Sequence, residues 1–117
     1  KKKENKILPR SKNINIADKF SKIHSFSKEI SNLKTKKNYI FGTTVPAIWC
    51  SKVLGNDKFQ NFIEEDKKKI NKKLNCKKII SIKKVKKNYN VIIPYTKKLK
   101  AKITKKINNN KIISLDL

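Results

Sequence analysis

The chain of 117 residues has very little of what most enzyme sites are built from. It holds two glycines, one histidine, one arginine, two cysteines and no methionine. Two glycines cannot form a glycine-rich loop around a phosphate, and Cys50 and Cys76 lack the spacing of a metal-binding pair. We therefore predict that the chain is not an enzyme and binds no metal ion or cofactor. Both cysteines are expected to be reduced thiols, because so cysteine-poor a chain has no disulfide framework.

Long apolar runs and acidic residues are also scarce. No run approaches the roughly 18 apolar residues that span a bilayer, so no membrane partner is expected. Eight acidic residues face 32 basic ones, for a formal net charge of +24, and residues 67–117 carry 18 lysines and the single acid Asp116. Such one-sign charge repels itself, whereas a polyanion relieves the repulsion and releases its own counterions. The composition predicts a nucleic-acid partner and no small-molecule substrate.

The first half of the chain has helical patterns behind a basic start. Residues 1–13 have no periodicity and are predicted to be a basic extension of one small domain, 14–117, because Pro9 disfavours a helix through Leu8. Helices are predicted over about 15–36, 46–54 and 58–74. Their apolar stripes recur at spacings of three and four, as in Ile16, Phe20 and Ile23 of the first and in Phe59, Phe62, Ile63, Ile70 and Leu74 of the third.

The second half alternates between aliphatic residues and lysines. This pattern predicts strands over about 78–85, 90–95, 98–107 and 111–117, with turns between them. The predicted fold class is α+β, a helical N-terminal half with a small antiparallel β-meander in the C-terminal half. Alternation would place the aliphatic side chains on one face of this meander and the lysines on the other.

Two basic regions are the candidate nucleic-acid-binding sites. The first is the N-terminal arm, and the second is the lysine-rich strand region, in which two tyrosines sit among lysines that neutralise phosphates. The candidate residues are Lys1, Lys2, Lys3, Lys6, Arg10, Lys12, Lys83, Lys84, Lys86, Lys87, Tyr89, Tyr95, Lys97, Lys98, Lys100, Lys102, Lys105, Lys106 and Lys111.

A DNA-binding regulatory or architectural protein is the alternative. Helices 46–54 and 58–74, separated by Gly55, have the order of a helix-turn-helix, in which Gln60 and Asn61 would read bases. The acidic run 64–66 argues against it, because these residues would face phosphates. That run is better explained by the positive end of a helix dipole than by a metal site. His24 and Trp49 are expected to be structural.

In size, lysine excess, basic start and lack of catalytic residues, the chain resembles a ribosomal protein. The resemblance lies in composition and type, since no motif matches a particular ribosomal family. It implies a structural constituent of a ribosome, with ribosomal RNA and neighbouring ribosomal proteins as partners. Residues written by AT-rich codons dominate and the first residue is not methionine. These two features favour an organellar ribosome, preferably mitochondrial, over a cytoplasmic one.

Overall fold

The computed structural model describes residues 9–107 and 110–116, with side chains from residue 16 onward. Three α-helices and six strands follow each other along the chain: α1 (Pro9–Ser31), β1 (Asn38–Phe41), α2 (Val45–Leu54), β2 (Asn61–Glu64), β3 (Lys73–Leu74), β4 (Lys77–Ser81), β5 (Asn90–Ile93), α3 (Lys97–Thr104) and β6 (Lys111–Ser114). Short 3₁₀ turns lie at Asn56–Lys58 and Ile82–Lys84. None of the helices in these ranges is both long and apolar enough to span a membrane.

The six strands form one sheet in the order β3-β4-β2-β1-β5-β6. All neighbouring strands from β4 to β6 are parallel, and only the β3–β4 hairpin is antiparallel. The hairpin turn consists of Asn75 and Cys76, both with positive φ (50° and 68°), which suits a two-residue turn that follows the twist of the strands. Strand β1 is therefore central, and the chain builds the sheet outward from it in both directions.

Helices α1 and α2 cover the first face of the sheet. Ile30 of α1, Leu54 of α2 and Phe62 of β2 belong to one buried apolar cluster on that face. Trp49 of α2 packs against the same cluster, with its ring 6.1 Å from the ring of Phe26. Helix α2 begins where Pro46 can occupy its first turn without losing a hydrogen bond, and Gly55 (φ 100°) ends it.

Helix α3 and the segment 82–87 cover the second face. Ile103 of α3 is buried with Tyr39, Ile63 and Val91 in a second apolar cluster, and Ile82 and Val85 pack against it. Thr96 caps α3, since its hydroxyl oxygen accepts a hydrogen bond from the backbone N–H of Leu99 at 3.4 Å. The sheet is thus covered on both sides, as expected for parallel strands.

A buried asparagine fixes the amino ends of the two central strands. Asn38 is fully buried, and its Nδ2 donates to the carbonyl oxygens of Thr35 (2.7 Å) and Lys58 (2.8 Å). Its Oδ1 accepts from Nδ2 of Asn90 at 2.8 Å, which joins β1 to β5. Every polar atom of this buried amide therefore has a partner, and the loops before β1 and β2 are held against the sheet.

The predicted α+β class is confirmed, with a helix early in the chain and most strands later, but the antiparallel meander is wrong because the sheet is mostly parallel. The prediction missed β1, whose four residues are all buried. A strand covered on both faces has no alternation between apolar and polar residues to reveal it. The predicted strands 78–85, 90–95 and 111–117 correspond to the shorter β4, β5 and β6.

Two predicted elements have the wrong secondary structure. The predicted helix 58–74 is instead β2, a loop and β3, because Phe62 and Ile63 point to opposite clusters rather than along one stripe. The predicted strand 98–107 is instead mostly α3, in which Leu99 and Ile103 are four residues apart and pack toward the second face; Ile107, beyond the end of the helix, packs against the same cluster. Apolar residues four positions apart fit both the two-residue period of a strand and the 3.6-residue period of a helix. The pattern alone therefore led to the wrong prediction.

The N-terminal boundary also moves. The predicted helix 15–36 is α1, which starts at Pro9 and ends at Ser31. Residues 9–13 of the predicted extension therefore belong to α1, Arg10 and Lys12 among them, because proline is tolerated in the first turn of a helix. Lys1, Lys2, Lys3 and Lys6 lie outside the described residues.

Candidate functional site

The candidate lysines of the C-terminal half lie together on the second face of the sheet. Segment 82–87 and segment 97–106 both pack their apolar residues against the second cluster and turn their lysines outward. We call these two segments the basic layer. It contains Lys83, Lys84, Lys86, Lys87, Lys97, Lys98, Lys100, Lys102, Lys105 and Lys106, of which all but the half-buried Lys100 are exposed.

The basic layer has no acidic residue, whereas the first face is much closer to neutral. Ten lysines fall within the 16 positions of the layer, while α1 and α2 together hold six basic and two acidic residues over a longer stretch. Asn110 connects the layer to β6, since its Nδ2 donates to the carbonyl oxygens of Lys86 and Tyr89 at 2.9 and 2.8 Å. Lys111, the remaining candidate lysine, is exposed at the start of β6. Tertiary folding therefore concentrates positive charge on one side of the sheet.

Acidic partners for these lysines are few. Among the described side chains, Lys100 lies 3.4 Å from Asp116, and Lys106 pairs with Glu65. A hydrogen bond from the Ser114 hydroxyl, assisted by Lys100, holds the pKa of Asp116 below its usual range. For the other eight lysines of the layer, no ion pair is found among the described side chains, so this surface keeps a large positive charge.

The two candidate tyrosines are built into the fold rather than displayed for stacking. Tyr89 is half-buried, with its ring 5.1 Å from the ring of Tyr39. The Tyr95 ring lies edge-on to Phe41 with 6.5 Å between the ring centroids, and its hydroxyl is 2.7 Å from Oγ1 of Thr44. Both rings therefore support the second cluster and the loops around it.

A second candidate region lies at the carboxyl edge of the sheet, where the chain segments that follow β1 and β5 cross to opposite faces. The chain passes from β1 to α2 on the first face and from β5 to α3 on the second. Ligands of doubly wound sheets bind in the crevice that forms at such a switch point. Gly42 makes the tight turn after β1 with φ 101°, and its N–H donates to the carbonyl oxygen of Ile63 at 2.8 Å.

Glu64, at the end of β2, presents a fixed carboxylate at this edge. Its Oε2 accepts a hydrogen bond from the hydroxyl of Thr43 at 2.8 Å, and its Oε1 accepts from the backbone N–H groups of Glu65 (2.9 Å) and Asp66 (3.2 Å). Nζ of Lys69 lies 4.0 Å from Oε2, and the side chain of Glu64 is 16% exposed. The carboxylate is thus held by three donors and retains some access to solvent. The prediction that residues 64–66 complement a helix dipole is wrong, because no helix begins there.

A cavity of about 470 Å³ adjoins Glu64 at the ends of β2 and β4. Its walls combine apolar side chains (Ile70 and Ile82), polar ones (Glu64 and Ser81) and cationic ones. The cations are Lys67, Lys83 and Lys106, and Glu65 completes the lining. The volume falls within the range of small-molecule sites.

Sequence reasoning passed over this edge although two signals were present. Gly42 follows an apolar stretch, and Glu64 follows at about the distance at which an acid follows the turn of dinucleotide-binding units, although Thr44 stands where such a turn has its second glycine. Among the described residues, no group of three His, Cys, Asp or Glu side chains is placed to hold a metal ion. His24 is exposed on α1, and Cys50 and Cys76 are free thiols, one buried and one exposed.

Comparisons with known proteins give no family for this chain. No protein-family model, no curated protein and no solved structure matches it significantly.

Proposed function

We propose that this chain binds RNA through the basic layer and serves as a structural component of an RNA–protein particle. The observation that carries the proposal is the concentration of ten lysines in two segments that contain no acid, of which only Lys100 and Lys106 pair with a described acidic side chain. Lysine offers a mobile point charge rather than the flat fork with which arginine reads guanine or grips phosphate. A lysine surface therefore favours contacts to the RNA backbone over reading of sequence.

The particle we propose is a ribosome, with an organellar ribosome as the preferred setting. The support is compositional: a high net charge and a lysine excess suit a protein whose neighbours are ribosomal RNA and other ribosomal proteins. Exposed apolar side chains at Ile16 and Phe20 of α1 offer a surface for a neighbouring protein in such a particle. Recovery of the protein with ribosomal particles, and its release only at high salt, would support this setting.

The DNA-binding alternative now has less support. The helix predicted to contact bases was 58–74, but Asn61 lies in β2 and Gln60 lies in the loop before β2. Nε2 of Gln60 donates a hydrogen bond to the carbonyl oxygen of Lys36 at 2.9 Å. Neither residue is presented on a helix that could enter a major groove. Binding to duplex DNA would therefore not use the predicted helix-turn-helix.

The test compares two triple variants with the same net charge. One changes Lys98, Lys102 and Lys105 of the basic layer to Gln, and the other changes Lys19, Lys28 and Lys52 on the helices of the first face; all six lysines are exposed. Binding to an RNA hairpin is measured over a series of salt concentrations. Glutamine has nearly the helix propensity of lysine, so both variants should fold.

Loss of three phosphate contacts should lower the slope of log affinity against log salt by about 2 to 3, since each contact to single- or double-stranded nucleic acid contributes about 0.7 to 0.9. The first-face variant should change the slope much less. Equal weakening by the two variants would mean that net charge, rather than this face, governs binding, and the proposal would fail.

A further inference from the structure

We propose that the cavity at the ends of β2 and β4 binds a single ribonucleoside 5′-phosphate. The cavity lies at the edge of the basic layer, which supplies Lys83 and Lys106 to its lining, and the proposal stands on the shape and chemistry of the cavity walls. Glu64 and Ser81 occupy paired positions of neighbouring parallel strands, so their side chains leave the sheet side by side at its carboxyl edge. Both line the cavity of about 470 Å³.

Glu64 is suited to take a ribose hydroxyl. A carboxylate is an acceptor only, with about four acceptor positions, and three are used by Thr43 and by the backbone of residues 65 and 66. The remaining position is on Oε2, which lies 4.0 Å from Nζ of Lys69, and Glu64 lines the cavity. A hydroxyl of the ligand can donate to it, and the charge on the acceptor makes that hydrogen bond stronger than one between neutral groups.

The other walls match the remaining parts of a nucleotide. Ile70 and Ile82 provide an apolar surface for the flat face of a base. Lys67, Lys83 and Lys106 line the same cavity; Lys106 pairs with Glu65 there, and the other two lysines supply positive charge for a phosphate. The cavity thus combines a carboxylate that can accept a hydrogen bond from a hydroxyl, an apolar wall and cationic side chains. This combination favours a ribonucleotide over a free sugar, an apolar compound or a simple anion.

Tyr95 limits the ligand to one nucleotide. Its ring lies over Gly42 and its hydroxyl bonds to Thr44, so the space beside the β1–α2 turn is filled by protein. In dinucleotide-binding sheets the pyrophosphate lies at this turn, against a glycine that here is replaced by Thr44. A dinucleotide therefore has no path from the cavity across the switch point, whereas a monophosphate can remain beside Glu64.

The experiment records amide chemical shifts of the full chain during titration with adenosine 5′-monophosphate, 2′-deoxyadenosine 5′-monophosphate, inorganic phosphate and a nicotinamide dinucleotide. Adenosine monophosphate should shift residues 64–70 and 81–83. It should bind about tenfold more tightly than the deoxy form, the usual order for a lost hydrogen bond to a charged group. Phosphate and the dinucleotide should bind more weakly.

Two variants separate the role of Glu64 from that of the cavity. Glu64→Gln should abolish the preference for the ribo form, while Glu29→Gln, the same change at an exposed position of α1, should leave it intact. Ile70→Trp fills the cavity without touching the carboxylate and should abolish nucleotide binding, which keeps the test decisive if Glu64→Gln does not fold. Absence of shifts around the cavity, or equal affinity for ribo and deoxy forms, would overturn the proposal.

The same titration distinguishes a free nucleotide from a nucleotide of bound RNA. If the ligand is free in the cell, saturating adenosine monophosphate should weaken RNA binding only through its charge on Lys83 and Lys106, and Glu64→Gln should leave RNA affinity unchanged. If the cavity holds a nucleotide of the RNA itself, the monophosphate should compete, and Glu64→Gln should weaken RNA binding. Either result supports a ribonucleotide site in the cavity. If the triple variant at Lys98, Lys102 and Lys105 did not affect RNA binding, the proposed RNA-binding function would fail, but the nucleotide site would not.

Discussion

Gly42 is the position where the smallest substitution should have the largest effect. Its φ of 101° lies where residues with a side chain are rarely found, and a Cβ there would lie 2.7 and 2.8 Å from two ring carbons of Tyr95 and closer still to the hydroxyl oxygen. Gly42→Ala therefore imposes backbone strain of about 1 to 3 kcal/mol and forces the tyrosine ring to move.

Moving the ring has its own cost. Tyr95 would lose its hydrogen bond to Thr44, worth about 1 kcal/mol, and its edge contact with Phe41, worth about 0.5 to 1.5 kcal/mol. The free energy of unfolding should fall by about 2.5 to 5.5 kcal/mol in total. Domains of this kind have about 5 to 15 kcal/mol of stability, so the variant should still fold in water at the higher end of that range.

A double-mutant cycle separates the two causes. In a Tyr95→Ala background the ring is gone, so Gly42→Ala should cost only the strain, and the coupling free energy should be about 1 to 2.5 kcal/mol. Urea unfolding followed by fluorescence of Trp49, the single tryptophan, measures all four proteins. If Gly42→Ala cost the same in both backgrounds, the close approach of Tyr95 would have no energetic consequence and the reasoning would be refuted.

Two further predictions concern buried polar groups. Asn38→Asp removes both donated hydrogen bonds and buries a charge beside two carbonyl oxygens, so the free energy of unfolding measured in urea should fall by about 2 to 4 kcal/mol. The same change at the exposed control position, Asn56→Asp, should have almost no effect. A loss below about 0.5 kcal/mol for Asn38→Asp would contradict the assigned contacts. Burial raises the pKa of the Cys50 thiol to about 12, so a thiol reagent at about pH 8 should label only the exposed Cys76 in the native protein and both thiols in denaturant. Rapid native labelling that persists in Cys76→Ser would show that Cys50 is accessible.

Part of the fold could be predicted from the sequence because local signals agreed with the tertiary structure. The second helix was predicted within one residue of α2, since Thr44, Pro46 and Gly55 mark its ends. The apolar stripe of α1 was recognised in part: Ile30 is buried, whereas Ile16 and Phe20 of the same stripe are exposed. These elements depend on contacts between residues three or four apart, which a single sequence displays directly.

The candidate site was only partly predictable. The lysines of the basic layer were identified by composition, but their common face was attributed to strands, whereas α3 and the segment after β4 supply it. Glu64 was assigned to a helix, and its place beside Ser81 was not foreseen, because that pairing joins residues 17 positions apart. Tyr89 and Tyr95 were expected on the surface, although the fold uses them as packing residues.

The amino-acid sequence by itself determined the charge of this protein, its low content of histidine, cysteine and glycine, and which side chains are apolar enough to be buried. Only the tertiary structure decided the strand order, the face on which the lysines gather and the residues that meet around the cavity. The physical reason is that strand pairing is non-local. A buried parallel strand shows no alternation in its sequence, and its neighbours are selected by packing of distant segments rather than by the residues beside it.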